Sequence, residues 1–181
     1  PNGAGKTTLL NLVAGALRPV SGTISFAGLP TAGRPPHEVA GRGISRTFQT
    51  TRLFPGMTVL ENLMVGRHVR GRRGFAAGIL GPAVTAREDR RMREACMAVL
   101  DGLGIADLAG RDAASLPFGR QRIVEFARAL ASEPRLVLLD EPACGLNPRE
   151  TERIGELIAG IRSRGITVLI VEHDMSLVMG I

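Results

Sequence analysis

An α/β fold built on a largely parallel sheet is predicted by three features of the sequence. Short apolar runs, above all Leu136-Val137-Leu138-Leu139 and Ile166-Thr167-Val168-Leu169-Ile170-Val171, alternate with longer helical patterns, as strands alternate with crossover helices in such sheets. A glycine-rich turn ending in a lysine opens the chain and runs straight into a helical pattern, and acidic residues follow both long apolar runs. At 181 residues the chain can bury an ordinary core, and one domain or most of one is expected.

Taken in order, Pro1-Asn2-Gly3-Ala4-Gly5-Lys6-Thr7-Thr8 is most of a Walker A phosphate loop. The first glycine of that motif is expected just before Pro1, so the chain is expected to be a piece of a longer nucleoside triphosphate-binding protein of the P-loop NTPase class. A helix should follow from Thr8 to Ala14. Residues 22–26 read as a short strand, and a loop rich in proline and glycine leads to a second strand over 43–48 that ends at Gln49. Thr58 with Glu61 is a capping-box pattern, so a helix should start there and run to about Val65. Residues 66–82 read as an insertion or loop. Thr85 with Glu88 predicts a second capping box, opening a charged amphipathic helix to about Leu103. Residues 116–121 form a turn into a helix that continues through Ala131. After the strand 136–139, Asn147 and Pro148 supply an N-cap and a first helical position for 149–164. Gly165 stops that helix, and 166–171 is the last full strand. No internal repeat or linker is present.

The chemistry rests on what these elements place together. Glycines let the phosphate loop curl so that successive N–H groups face phosphate oxygens. Asn2, Gly3, Ala4, Gly5, Lys6, Thr7 and Thr8 are therefore the nucleotide-binding candidates, with Lys6 on the β- and γ-phosphates and the Thr7 hydroxyl on Mg²⁺. Ligands of open α/β sheets bind beyond the carboxyl ends of the strands. Asp140, Glu141 and Pro142 follow one strand, and Glu172, His173 and Asp174 follow another. Asp140 is suited to the Mg²⁺ shell as a Walker B aspartate, and Glu141 to orienting or deprotonating the attacking water. His173 is placed to hydrogen-bond the γ-phosphate and the water. Gln49 can touch Mg²⁺ or water from its own strand end. Taken singly, Asp140 and Glu141 read more readily as a solvated strand end, and His173 and Gln49 as structural residues. The phosphate loop upstream is what joins them.

Composition narrows the partners. The net charge is +6 and the pI about 11.0, which ordinarily points to nucleic acid or an anionic membrane. Lys6 is the only lysine, however, and the arginines are scattered, a composition that a GC-rich genome produces. The dense cluster Arg67-His68-Val69-Arg70-Gly71-Arg72-Arg73 has no aromatic residue to stack a base, so no nucleic-acid partner is expected and a solvated loop near lipid headgroups or a membrane partner is. No run approaches the roughly 18 apolar residues of a membrane span. Cys96 and Cys144 lack metal-ligand spacing and read as reduced thiols.

In order and spacing these motifs resemble the ATP-binding cassette (ABC) ATPases: the Walker A loop, a glutamine loop at Gln49, a signature segment Leu116-Pro117-Phe118-Gly119-Arg120-Gln121, Walker B at 136–140 followed by Glu141, the loop Gly145-Leu146-Asn147-Pro148 and a switch histidine at His173. Arg46-Thr47-Phe48-Gln49, Arg52-Leu53-Phe54, Met57-Thr58-Val59-Leu60-Glu61-Asn62-Leu63, Ala143-Cys144-Gly145-Leu146-Asn147-Pro148 and the run from Glu172 to Ile181 look like the ATP-binding subunits of bacterial branched-chain amino acid importers.

The resemblance implies a RecA-like core from 1–48 and 133–181 and a helical, signature-bearing subdomain over about 50–132, in a cassette lacking its N-terminal strands and C-terminal end. It implies ATP and Mg²⁺ as cofactors and a head-to-tail ATPase pair in which each ATP lies between one Walker A and the other signature; the pair is homo- or heterodimeric, and the altered signature at Pro117 and Phe118 favours the heterodimer. Its further partners would be membrane permease subunits and, indirectly, a periplasmic binding protein, with the ATPase peripheral on the cytoplasmic face of the bacterial inner membrane. Residues 50–68 would receive the permease's coupling helix. The signature departs from the family's LSGGQ: Pro117 removes a serine hydroxyl and a backbone N–H, while Gly119 still allows close approach to phosphate. Other cargoes (urea or short amides, lipopolysaccharide export), a soluble cassette acting on DNA or ribosomes, and a non-hydrolysing cassette are the alternatives. The last is disfavoured by the intact Lys6, Asp140, Glu141 and His173.

Overall fold

The computed structural model describes residues 4–47, 52–68 and 82–181, the side chains of 82–85 excepted. In chain order the elements are α1 (Lys6–Val13), β1 (Ser25–Phe26), β2 (Leu29–Pro30), α2 (Pro36–Gly41), β3 (Ile44–Arg46), α3 (Val59–Arg67) and α4 (Pro82–Gly102). They continue with α5 (Phe118–Ala131), β4 (Leu136–Asp140), α6 (Pro148–Ser163), β5 (Thr167–Val171) and α7 (Met175–Gly180). The chain divides into two compact units, one formed by Pro1–Thr50 with Pro134–Ile181, the other by Thr51–Glu133.

The first unit carries a parallel sheet in the order β3-β4-β5, as the apolar runs predict. Ile44 pairs with Leu136 and Arg46 with Leu138; Leu136 pairs with Thr167 and Asp140 with Val171. The central strand has Val137, Leu138 and Leu139 wholly buried, the condition of a parallel strand covered on both faces. Leu10 of α1, Val39 of α2, Ile44 and Leu138 form one apolar cluster, with Val13, Phe26, Leu136 and Val171 against it. Fully burying a Leu side chain stabilises by about 1.5–3 kcal/mol, so Leu10 on Leu138 is what seats α1 on the sheet. On α6, Ile154, Leu157, Ile158 and Ile161 are buried, an i, i+3, i+4, i+7 stripe. Its N-terminus is closed by the expected cap: Asn147 Oδ1 accepts from Glu150 N at 3.1 Å, and Glu150 Oε2 accepts from Asn147 N at 3.0 Å.

Three features of this unit differ from the sequence expectation. The strand expected over 22–26 is only Ser25–Phe26, folded back on β2. Ala27 and Gly28 turn it with φ of 52° and 80°, the double positive φ of a type I′ hairpin, and Ala-Gly carries no strong signal for that turn. The loop before β3 contains α2, with Pro36 at its start and Val39 buried. One buried residue in six cannot register as a periodicity. Finally, the sequence reading ends its elements at the strand 166–171, whereas a further helix, α7, follows, capped by Asp174, which accepts from Ser176 N at 2.9 Å and Leu177 N at 3.3 Å. The Ser176 hydroxyl and these amides hold its carboxyl below the usual range.

In the second unit the capping box of α3 is as predicted. Thr58 Oγ1 accepts from Glu61 N at 3.2 Å, and Glu61 Oε2 accepts from Thr58 N at 2.8 Å. The Thr58 N–H, and then its hydroxyl, hold the Glu61 carboxyl below its ordinary value. Buried Asn62 fastens the loop ahead of the helix: its Oδ1 accepts from Phe54 N at 2.8 Å, and its Nδ2 donates to the carbonyls of Phe54, Met57 and Thr58 at 3.0–3.3 Å. Helix α3 extends past Val65 to Arg67, correcting the start of the loop expected over 66–82, of which 69–81 lie outside the described residues. A Cβ on Gly66 would lie 2.5 Å from the Arg128 carbonyl of α5, so glycine is what lets these helices pack. Nor is Arg67 a solvated residue. It donates to the Ala131 carbonyl at 3.0 Å and pairs with Glu133 at 2.7 Å. The rest of that arginine cluster, 69–73, lies outside the described residues.

Helix α4 begins at Pro82 rather than at Thr85. Proline's fixed φ and missing N–H suit the first helical position, which places Thr85 inside the helix and not at its cap. Met92, Cys96 and Leu100 form its buried stripe, and buried Leu103 follows its end. On α5, Arg122 and Glu125 form an ion pair at 3.2 Å with both side chains at most 5% exposed.

Candidate functional site

Helix α1 starts from Gly5, whose φ of 80° and ψ of 11° are left-handed, a conformation glycine adopts without the steric cost other residues incur. Lys6 and Thr7 are therefore the first two helical residues, at the end of the helix where the dipole favours anions. Ala4 and Gly5 are exposed and Lys6 half-buried. Asn2 and Gly3 lie outside the described residues, as does Gln49.

The sheet brings the Walker B acids to this helix end. Leu138 and Asp140 are two residues apart on β4 and share a face, so the face that packs on Leu10 of α1 also carries Asp140. The Thr7 hydroxyl donates to Asp140 Oδ1 at 3.4 Å. Asp140 Oδ2 accepts from Arg46 Nη2 at 3.1 Å, and Arg46 Nη1 donates to Asn11 Oδ1 of α1. The Arg46 and Asp140 side chains are 10% and 2% exposed.

Glu141 leaves the sheet with φ of 48°, and its N–H still donates to the Val171 carbonyl of β5 at 2.8 Å. The reversal brings its carboxylate out, 21% exposed, with Oε1 3.2 Å from His173 Nε2. His173 thus meets Glu141, a partner the sequence reading did not assign it. Glu172 ties the same two loops together, accepting from Ala143 N at 3.0 Å and His173 N at 2.8 Å. Thr7, Asp140, Glu141 and His173 are all in the first unit.

Thr7 and Asp140 offer hard oxygen donors of the kind Mg²⁺ prefers, and their 3.4 Å separation is close to the roughly 3 Å between neighbouring corners of a magnesium octahedron. Among the described residues no group of three or more His, Cys, Asp or Glu side chains is gathered for a metal. A magnesium ion carried in on phosphates needs only one or two protein ligands, and the residues present fit it.

The signature segment belongs to the second unit. Pro117 is the N-cap of α5 and offers no side-chain cap; Leu116 and Gly119 are buried, and Arg120 is exposed. Gln121 closes the turn from within, its Nε2 donating to the Ala114 and Leu116 carbonyls at 3.0 and 2.9 Å. The half-exposed Phe118 ring lies 5.3 Å beneath the Arg122 guanidinium. Sequence reasoning missed Arg46 and Asn11 as parts of the site. The available signal was an arginine ending a strand that neighbours the Walker B strand.

Residues 1–144 match the family model for ABC transporters. The chain belongs to the ABC transporter family. The cassette is 43% identical to the high-affinity branched-chain amino acid transport ATP-binding protein BraF of Pseudomonas aeruginosa, over all of this chain and 71% of that protein. It is 42% identical, with the same coverage, to the corresponding LivG of Escherichia coli K12. Among solved structures, a nucleotide-free ATP-binding cassette from an ABC transporter superposes with a TM-score of 0.81 at 32% identity, covering 99% of this chain and 70% of that one. A dimeric cassette in a post-hydrolysis state, bound to ADP and Pi, gives 0.76 at 26% identity, covering 99% and 75%. The fold is therefore that of an ABC ATPase cassette, as the motif order implies.

Proposed function

We propose that the cassette hydrolyses Mg-ATP to power a branched-chain amino acid importer. The convergence of the α1 N-terminus, Thr7 and Asp140 with the Glu141–His173 pair carries the hydrolytic reading, and the names of the two relatives carry the cargo. Unit one is assigned as the RecA-like core and unit two as the helical, signature-bearing subdomain. Ala4, Gly5, Lys6, Thr7 and Thr8, with Asn2 and Gly3 before them, bind the triphosphate through main-chain N–H groups and the lysine ammonium. Thr7 and Asp140 hold Mg²⁺, with Gln49 as a further contact. When bound, the metal neutralises charge on the β- and γ-phosphate oxygens.

Glu141 orients or deprotonates the attacking water, and His173, held 3.2 Å away, fixes that carboxylate and contacts the γ-phosphate. Residues 116–121 complete the ATP site of a second ATPase subunit, a heterodimeric partner. Residues 50–68 face the permease, and a periplasmic binding protein delivers cargo to the far side. No helix among the described residues is long and apolar enough to cross a membrane, which suits a subunit peripheral on the cytoplasmic face of the inner membrane.

The test is Glu141→Gln in the full-length chain assembled with its permeases. ATP binding should persist while single-turnover hydrolysis falls by on the order of 10²–10⁴, the usual contribution of a general base, and uptake of leucine into vesicles should stop. Unchanged hydrolysis would remove Glu141 from its role. Uptake of urea but not leucine by the unsubstituted complex would overturn the cargo.

A further inference from the structure

We propose that Arg46 is the positioning residue that aims Asp140 at the magnesium ion of the bound nucleotide. The inference rests on the reading of Asp140 as a metal ligand given above. Asp140 is almost wholly buried, where a carboxylate without a counter-charge is costly. Its two oxygens have different partners. Oδ2 is taken by the Arg46 guanidinium at 3.1 Å, which leaves Oδ1 turned toward the Thr7 hydroxyl at 3.4 Å. One oxygen is thus anchored and the other presented, so that Asp140 meets a metal through Oδ1 alone, beside Thr7.

The same guanidinium reaches Asn11, one turn beyond Thr7 on α1. The apolar contact of Leu10 with Leu138 is non-directional and does not by itself fix how far α1 is rotated or slid along the sheet. A planar fork bonded to both Asn11 and Asp140 does, because its donors are rigidly related. The strand register makes this possible: Arg46 pairs with Leu138, two residues before Asp140, on one face of neighbouring strands.

Removing Arg46 has two opposed consequences. Loss of a nearby positive charge favours a cation electrostatically, whereas loss of the fork frees Asp140 to turn away. Aim outweighs charge at this site. The probe is Mn²⁺, whose binding to the ATP-loaded full-length chain is followed by electron paramagnetic resonance; ATP affinity in EDTA and the melting temperature are measured alongside. In Arg46→Met, Mn²⁺ affinity should fall by about 10–100-fold, as for other residues that orient a metal ligand, while ATP affinity in EDTA changes by less than about twofold. Arg46→Lys keeps the charge without the fork and should still lose severalfold, and it decides the matter if the Met variant does not fold. Unchanged or tighter Mn²⁺ binding in a folded variant overturns the proposal. Asp140→Asn separates the two readings. If it weakens Mn²⁺ and the Arg46 variants do not, only the role of Arg46 falls; if it leaves Mn²⁺ binding unchanged, the metal-ligand reading of Asp140 falls with it.

Discussion

Asp140 and Glu141 are neighbours in the sequence with opposite surroundings. Asp140 ends a buried strand against a guanidinium; Glu141, turned by a positive φ, is partly exposed and faces an imidazole. Two adjacent carboxylates can take different parts because the main chain reverses between them. The sequence spacing places both acids at a strand end but cannot show that reversal, nor the diagonal from Arg46, which exists only once the register of β3 on β4 is set. The two thiols differ as sharply. Cys96 is wholly buried on α4, and burial pushes its thiol up to about 11, whereas Cys144 is exposed. A raised value in the folded state means stability that is present below the unfolded thiol's value of about 8.5 and is lost as pH rises through 11. At pH 8 an alkylating reagent should modify Cys144 in the native, nucleotide-free chain and reach Cys96 only after denaturation, as read by peptide mass spectrometry. Equal rates at both would show that α4 opens readily.

Elements that announce themselves do so through their ends. Thr58 with Glu61 and Asn147 with Glu150 form both halves of a capping box, each cap worth about 1 kcal/mol, and the helices start where Thr58 with Glu61 and Asn147 with Pro148 predict. Thr85 misleads because a good first-turn residue, Pro82, stands three positions earlier. The α2 helix and the β1–β2 hairpin are invisible because six residues, and two paired residues, hold too little period to detect. At the start of α5 the legible departure is Pro117-Phe118, and the structure gives it a local form: an N-cap without a side-chain acceptor, then a ring lodged under Arg122. In an ATPase heterodimer, the composite site completed by this signature should be the slower. With this chain's Glu141 changed to Gln so that only the partner's Walker A turns over, Pro117→Ser with Phe118→Gly should raise ATP hydrolysis. An unchanged or lower rate would mean that the variant signature already suits its site.

At the scale of the molecule, the order of the motifs was sufficient to indicate the family, since several short signatures at correct spacing are far more specific than any one. The order leaves out how each unit is held together, which depends on residues no motif contains. Asn62 is the clearest of these. Wholly buried, it spends its side-chain amide on the main chain of Phe54, Met57 and Thr58, so the loop carrying the half-exposed Phe54 has little freedom left to lose. If that loop meets a permease, the joint behaves as a stiff strut rather than a spring, and displacement of the cassette is passed on instead of being absorbed at the contact. Asn62→Ala should soften the strut: in the assembled transporter, ATP turnover would continue while the number of amino acids carried per ATP falls severalfold. A transport-to-hydrolysis ratio equal to that of the unsubstituted complex would show that stiffness at this joint does not matter to the stroke.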